Sequence, residues 1–113
     1  MDQVTVKIPR LSVREGSAFT ATAYFRTRAT AASSTPTNAK YRVDCLTTRK
    51  QLTDWTALTP AGSIEIAMTG THSDIQDDSN QYERKQLTVA GDYGLDTQVI
   101  ETATWQVVNA FGA

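Results

Sequence analysis

His72 is the single histidine of this chain and Cys45 its single cysteine. Metal ligation or nucleophilic catalysis would have to start from these two. A transition-metal site needs several nitrogen or sulfur ligands converging, and GTHSDIQ offers no second imidazole or thiol beside His72. His72 therefore reads as a solvated loop histidine. A Ser- or Cys-based triad lacks a base for the same reason. Cys45 alternates with Tyr41 and Val43 in KYRVDCLT, the setting of a buried small hydrophobe and not of an activated thiol.

Carboxylates are the next source of chemistry. Asp74, Asp77 and Asp78 crowd into DIQDDSN, which invites either acid–base work or calcium. An EF-hand loop needs acids at alternate positions, a glycine at the sharp turn and a distal glutamate, and this spacing has none of that order. A solvated acidic loop is the favoured reading. Asp92 and Asp96 in GDYGLDT are first of all turn residues beside Gly91 and Gly94. No catalytic residue, metal ligand or cofactor site is assigned, and the chain is expected not to be an enzyme.

Aromatic and basic residues raise two binding chemistries. Trp55, Tyr82 and Tyr93 are candidate loop aromatics for stacking on a sugar, although Trp55 in LTDWTALTPAG reads better as a corner residue that closes one end of the fold with its N–H near water. Tyr24, Arg26 and Arg28 share an outward face, with Arg42 placed beside them from another strand. A phosphate groove would need more bases than this, and the acidic second half of the chain argues against one. No nucleic-acid partner is expected.

The elements that would position these residues follow a period of two. In QVTVKIP, Val4, Val6 and Ile8 fall on one face, and Pro9 ends the pairing because it has no N–H; an edge strand results, with Leu11 and Val13 resuming it. AFTATAYFRTR places Phe19, Ala21, Ala23 and Phe25 inward. Residues 29–39 are small, polar and proline-bearing, and read as a long loop. KYRVDCLT buries Tyr41, Val43 and Cys45. QLTDW is a short strand, TALTPAG a turn that carries the chain from one sheet to the other, and Ile64, Ile66 and Met68 alternate on the next strand. Residues 70–81 form a polar loop. Leu87 and Val89, a connection over Gly91–Thr97, and Val99, Ala103, Trp105 and Val107 make a final hairpin. Glu101 falls on its inward face, so either the strand end is open there or a bulge shifts the register. About seven strands with regular turns predict an all-β protein, a single antiparallel β-sandwich over residues 1–113.

Composition agrees. At 113 residues, 40% hydrophobic and 20% charged, the chain is one globular domain's worth. Nothing at the N-terminus resembles a signal peptide, and no apolar run reaches the ~18 residues that span a bilayer; a cytoplasmic protein without a membrane partner is expected. The net charge of −1 hides an asymmetry: nine bases against three acids through Lys50, then two bases against nine acids. Strands of opposite sign pairing across a sheet would account for it. A dipolar molecule that associates head to tail, or docks on a charged scaffold, is the sharper alternative.

Two stretches carry a family resemblance. QYERKQLTVAGDYGLDTQVIETATWQVVN resembles the last hairpin of bacterial and phage immunoglobulin-like or fibronectin-type domains, through Leu87, Thr88, Val89, Asp92, Gly94 and Trp105. YRVDCLTTRKQLTDWTALTPAGSIEI is similar to small immunoglobulin-like proteins of tailed-phage virions. The resemblance implies an immunoglobulin-like fold and a non-enzymatic structural role. The setting would be a virion assembled in the host cytoplasm, as capsid decoration or as a head, neck or tail accessory. Partners would be other virion proteins or further copies of the chain; a host glycan is the alternative, through the three aromatics. The long final strand, free of proline, supplies the candidate interface: Ile100, Thr102, Thr104 and Val108.

Overall fold

The computed structural model describes residues 2–27, 30–94 and 98–109. Eight strands are formed: β1 (Asp2–Lys7), β2 (Ser12–Arg14), β3 (Phe19–Thr27), β4 (Asn38–Cys45), β5 (Lys50–Leu58), β6 (Ser63–Met68), β7 (Tyr82–Asp92) and β8 (Gln98–Val108). A 3-10 helix, Gly70–Ser73, lies between β6 and β7. The strands make two sheets, β1-β3-β6 and β2-β8-β7-β4-β5. Together these are an immunoglobulin-like β-sandwich, all-β as the alternation predicts.

Alternation explains the core directly. On β3, Ala21, Ala23 and Phe25 are fully buried, and the two alanines let the sheets approach closely. Val43, Leu87, Val89, Trp105 and Val107 face them from the other sheet, all fully buried. Phe19 meets Trp105 edge to face, ring centroids 5.2 Å apart at 86°, a geometry the ring quadrupoles favour. Gly91 occupies an inward position of β7 where a side chain is not tolerated: a Cβ there would sit 2.4 Å from Phe25 Cε1.

Pro9 does more than stop β1. The chain crosses to the other sheet, where β2 runs parallel to the end of β8 with Val13 beside Val107, making the eighth strand. Among the described residues all other ladders are antiparallel. β5 is longer than the sequence suggests. It continues through Thr56 to Leu58, residues expected in the turn, and pairs with β4 through two register shifts. The crossing between sheets then falls at Thr59–Gly62, close to its expected place. β7 and β8 keep one continuous register from Asp92–Gln98 to Tyr82–Val108. Glu101 is therefore exposed because that end of β8 is open, and no bulge is involved.

On the side away from β7 the long final strand is covered only at its end, and Gln98–Trp105 have no strand partner there among the described residues. β7 pairs along its whole length, and β2 covers Gln106–Val108 on the other side. Each sheet also contains strands from both halves of the sequence. The basic and acidic halves are interleaved and do not form two ends of a dipole.

Candidate functional site

Register places side chains on the outer face of the five-stranded sheet in rows. Ile100 stands level with Ala90 and Lys40, Thr102 with Thr88 and Arg42, and Thr104 with Gln86 and Asp44. Tyr82 stands level with Val108 at the end of the same face. Ile100 is 56% exposed, Tyr82 49% and Trp55 37%. Threonines and glutamines fill the ground between them.

Trp55 is the largest correction to the sequence reading. It does not close the end of the sandwich. The bulged pairing of β5 sets its ring on the outer face, beneath two cations of β4: Lys40 Nζ is 4.6 Å and Arg42 Cζ 5.6 Å from the ring centroid. Arg42 is itself fixed by a two-pronged contact to Asp44, Nη2 to Oδ1 at 2.8 Å and Nε to Oδ2 at 3.0 Å. Gln51 Oε1 accepts from the same Nη2 at 3.2 Å. Such cation–π contacts at exposed sites are worth about 0.5–1 kcal/mol each, enough to hold the indole in one pose.

The same strand disarms its own edge. Trp55 N–H donates to Asp54 Oδ1 at 2.7 Å, and Thr56 Oγ1 donates to the Asp54 carbonyl at 2.9 Å. Bulges and locally satisfied backbone groups are how sheets avoid edge-to-edge pairing. These bonds occupy one N–H and one C=O of the β5 edge.

The structure sorts the candidate residues plainly. Ile100, Thr102, Thr104, Val108, Trp55 and Tyr82 share one face, although they were singled out for two different chemistries. Val108 is half-buried and paired on both sides. Tyr93 stands apart: it lies beyond the opposite end of β7 from Tyr82, roughly 35 Å away at ~3.3 Å per residue, and its hydroxyl donates to the Ser34 carbonyl at 3.2 Å. Trp55 and Tyr82 lie in strands and not in loops. Tyr24, with Lys7 at 5.6 Å and Arg26 at 5.2 Å from its ring, decorates the other sheet. Arg42 is thus not its neighbour, as the basic-patch reading expected. Arg28 and Asp96 lie outside the described residues.

A second cluster, unforeseen as such, is buried where β7 begins. Glu83 and Lys85 are both fully buried, joined at 2.9 Å through Oε1 and Nζ. Glu83 Oε1 also accepts from Gln76 N at 2.8 Å, and Oε2 accepts from Asp77 N at 2.9 Å and Asn80 Nδ2 at 3.0 Å. Burial pushes this carboxyl up; the hydrogen bonds from Gln76, Lys85, Asn80 and Asp77 outweigh it and bring it down to about 2. Cys45 is buried as expected, with its thiol 3.6 Å from the same Oε1. Period two held the clue, since Glu83 and Lys85 are in phase with Leu87 and Val89.

His72 is also buried, against the expectation of a solvated loop residue. Its Nδ1 accepts from Thr69 N at 3.0 Å, so the proton sits on Nε2, which lies 2.8 Å from Thr53 Oγ1. Burial lowers its pKa. The acids of the following loop are solvated, Asp77 Oδ1 accepting from Ser79 N and Oγ. Among the described residues no three His, Cys, Asp or Glu side chains converge as metal ligands would, and no helix is long and apolar enough to cross a membrane.

The ion pairs between described residues, Arg42–Asp44 and Glu83–Lys85, each join residues of one strand. Neither links the basic half of the chain to the acidic half, although Asp54 on β5 attracts Arg42 on the neighbouring β4 and Lys50 attracts Asp77.

No protein-family model matches the chain, and no curated protein matches it. Among solved structures, it is similar to the cohesin module from Clostridium perfringens ATCC13124 family 33 glycoside hydrolase, at 13% identity over 96% of this chain and 97% of that one, with a TM-score of 0.43. A likeness that remote carries no inference about what this chain binds.

Proposed function

We propose that this domain is a non-enzymatic contact module of a tailed-phage particle, docking on another virion protein or a second copy through the outer face of its five-stranded sheet. The observation that carries the docking is the makeup of that face. Ile100, Trp55 and Tyr82 stand exposed on a ground of threonine and glutamine, and its carboxylate Asp44 is already neutralised by Arg42. Exposed aromatic anchors suit a contact surface, and the cations Lys40 and Arg84 beside them would be met by carboxylates of the partner. The setting rests on the resemblance of the β4–β6 and β7–β8 stretches to small virion proteins. Partners would be a capsid, neck or tail protein, met in the host cytoplasm during assembly.

The test is sedimentation of the purified chain, alone and with particles assembled from the same genome. Self-association or co-sedimentation supports the reading. A chain that stays monomeric and never travels with particles overturns it.

Exposure of Trp55 on a flat face favours one second reading, a glycan-binding module. Tyr82 and Tyr93, at opposite ends of β7, cannot share one sugar, so the three aromatics do not make a single platform. Silence on a glycan array, with no change in Trp55 fluorescence on adding oligosaccharides, would remove this reading.

A further inference from the structure

Lys85 poses a problem that its ion pair does not solve. Its ammonium is wholly buried and has three N–H donors, yet among the described residues Glu83 Oε1 is its hydrogen-bond partner. Two donors are left without protein acceptors at a fully buried position, which is costly. The carboxylate that holds it is shared: Asn80 Nδ2 donates to the other oxygen, Oε2, at 3.0 Å. An amine and a carboxamide thus flank one carboxylate.

Everything around the three groups is fixed. Gln76 N and Asp77 N grip the two carboxylate oxygens. Asn80 N donates to the Asp77 carbonyl at 2.9 Å, and the Asn80 carbonyl accepts from Asn109 Nδ2 at 3.0 Å. Trp105 is the register partner of Lys85 on β8, and Phe19 packs edge to face against it.

We propose that Lys85 and Asn80 form an intramolecular amide crosslink, with Glu83 as the catalytic residue. The proton on Nζ passes to Glu83 Oε1, leaving a neutral amine beside a carboxylic acid. The Nζ lone pair attacks Asn80 Cγ. As the tetrahedral adduct collapses, the Nζ–Cγ bond is kept, the Cγ–Nδ2 bond breaks, and the departing nitrogen takes two protons, one shed by Nζ as it becomes an amide and one returned by the acid. The leaving group departs as ammonium, so Glu83 ends as the carboxylate it began as, and no oxidant or co-reactant is consumed. The product replaces an under-partnered buried ammonium with a neutral amide whose N–H donates to Glu83. It also ties the acidic loop covalently to β7. The crosslink stands apart from the docking face and does not depend on what that face meets.

Intact-mass spectrometry of the folded chain decides the matter. The crosslinked chain is lighter than its sequence by one ammonia, and after denaturation and cleavage following Arg84 the peptide bearing Asn80 stays joined to the one beginning at Lys85. Asn80→Ala alters a half-buried loop position, should leave the fold intact, and should show no ammonia loss and two separate peptides. Glu83→Gln should slow or abolish the reaction in any fraction that folds. A parent chain that is folded by circular dichroism, yet keeps its full sequence mass after prolonged incubation and releases two separate peptides, overturns the proposal.

Discussion

At His72 a single proton decides whether a buried contact survives. The neutral ring accepts from Thr69 N at Nδ1 and meets Thr53 at Nε2, tying the 3-10 turn to β5; a second ring proton would destroy the first bond. Because burial lowers the folded pKa, this contribution is complete above the unfolded value of about 6.5 and is lost as pH falls through the lowered folded value. Urea midpoints should therefore drop between about pH 7 and pH 5 in the parent, and much less in His72→Gln. With one histidine in the chain, its NMR titration is unambiguous. Glu83 acts in the same direction at lower pH: while its ion pair is intact, its stabilisation is full above about 4.5 and lost toward about 2, amounting to no more than about 3 kcal/mol. Glu83→Ala, which strands a buried ammonium, should cost about 3–5 kcal/mol, whereas Glu83→Leu with Lys85→Met should recover most of that loss in chemical denaturation. These sites were unequally readable beforehand. Glu83 and Lys85 fall in the core phase of β7, yet charge is normally a mark of solvent. Nothing in a polar loop shows that His72 turns inward, because its burial depends on β5 arriving overhead.

The strands themselves follow period two closely, and the departures have local causes. β1, β3, β4, β6 and β7 begin and end near the positions that alternation indicates, and Phe19, Ala21, Ala23 and Phe25 face inward as their spacing requires. β5 differs because its two register shifts break the phase, so that Trp55, read as a corner, lands on the outer face. Bulges are decided by the partner strand, and one strand's sequence does not display them. Gly91 shows the converse, a tertiary demand met by a single residue type. Adding one methyl group there should force the Phe25 ring from its place and cost about 1–3 kcal/mol in Gly91→Ala. Phe25→Leu in that background should be less harmful than in the parent, since the smaller side chain relieves the contact. Additive losses in thermal denaturation would show that the glycine is needed for some other reason.

Across the whole molecule, what matters is which surface is left for another chain. The β5 edge is bulged and partly self-satisfied, β2 covers the end of β8, and Pro9 turns the chain away from β1. The halves of opposite charge are woven into both sheets, so a head-to-tail dipole gives no contact of its own. Exposed Ile100, Trp55 and Tyr82 single out the outer face of the five-stranded sheet, where Lys40 and Arg84 are also exposed and Asp44 is occupied by Arg42. Thr102→Lys and Thr104→Lys place a charge in its middle without touching the core. Each should leave the melting temperature nearly unchanged, Thr104 losing only a 3.3 Å bond from Arg84 Nη1, and should weaken assembly at least about tenfold, the equivalent of ~1.4 kcal/mol. Val108→Pro is a poor probe of the same face, because Val108 pairs with both β7 and β2 and its loss would disturb the fold. Thr20→Lys, exposed on the opposite sheet, is the matched control and should assemble like the parent. Raising ionic strength from about 0.15 to 1 M shortens the screening length from about 8 to 3 Å. It should weaken assembly further if the partner meets Lys40 or Arg84 with carboxylates. Sedimentation velocity reads all of these at once; assembly insensitive to Thr102→Lys and Thr104→Lys but abolished by Thr20→Lys would move the contact to the three-stranded sheet, where Tyr24 holds Lys7 and Arg26.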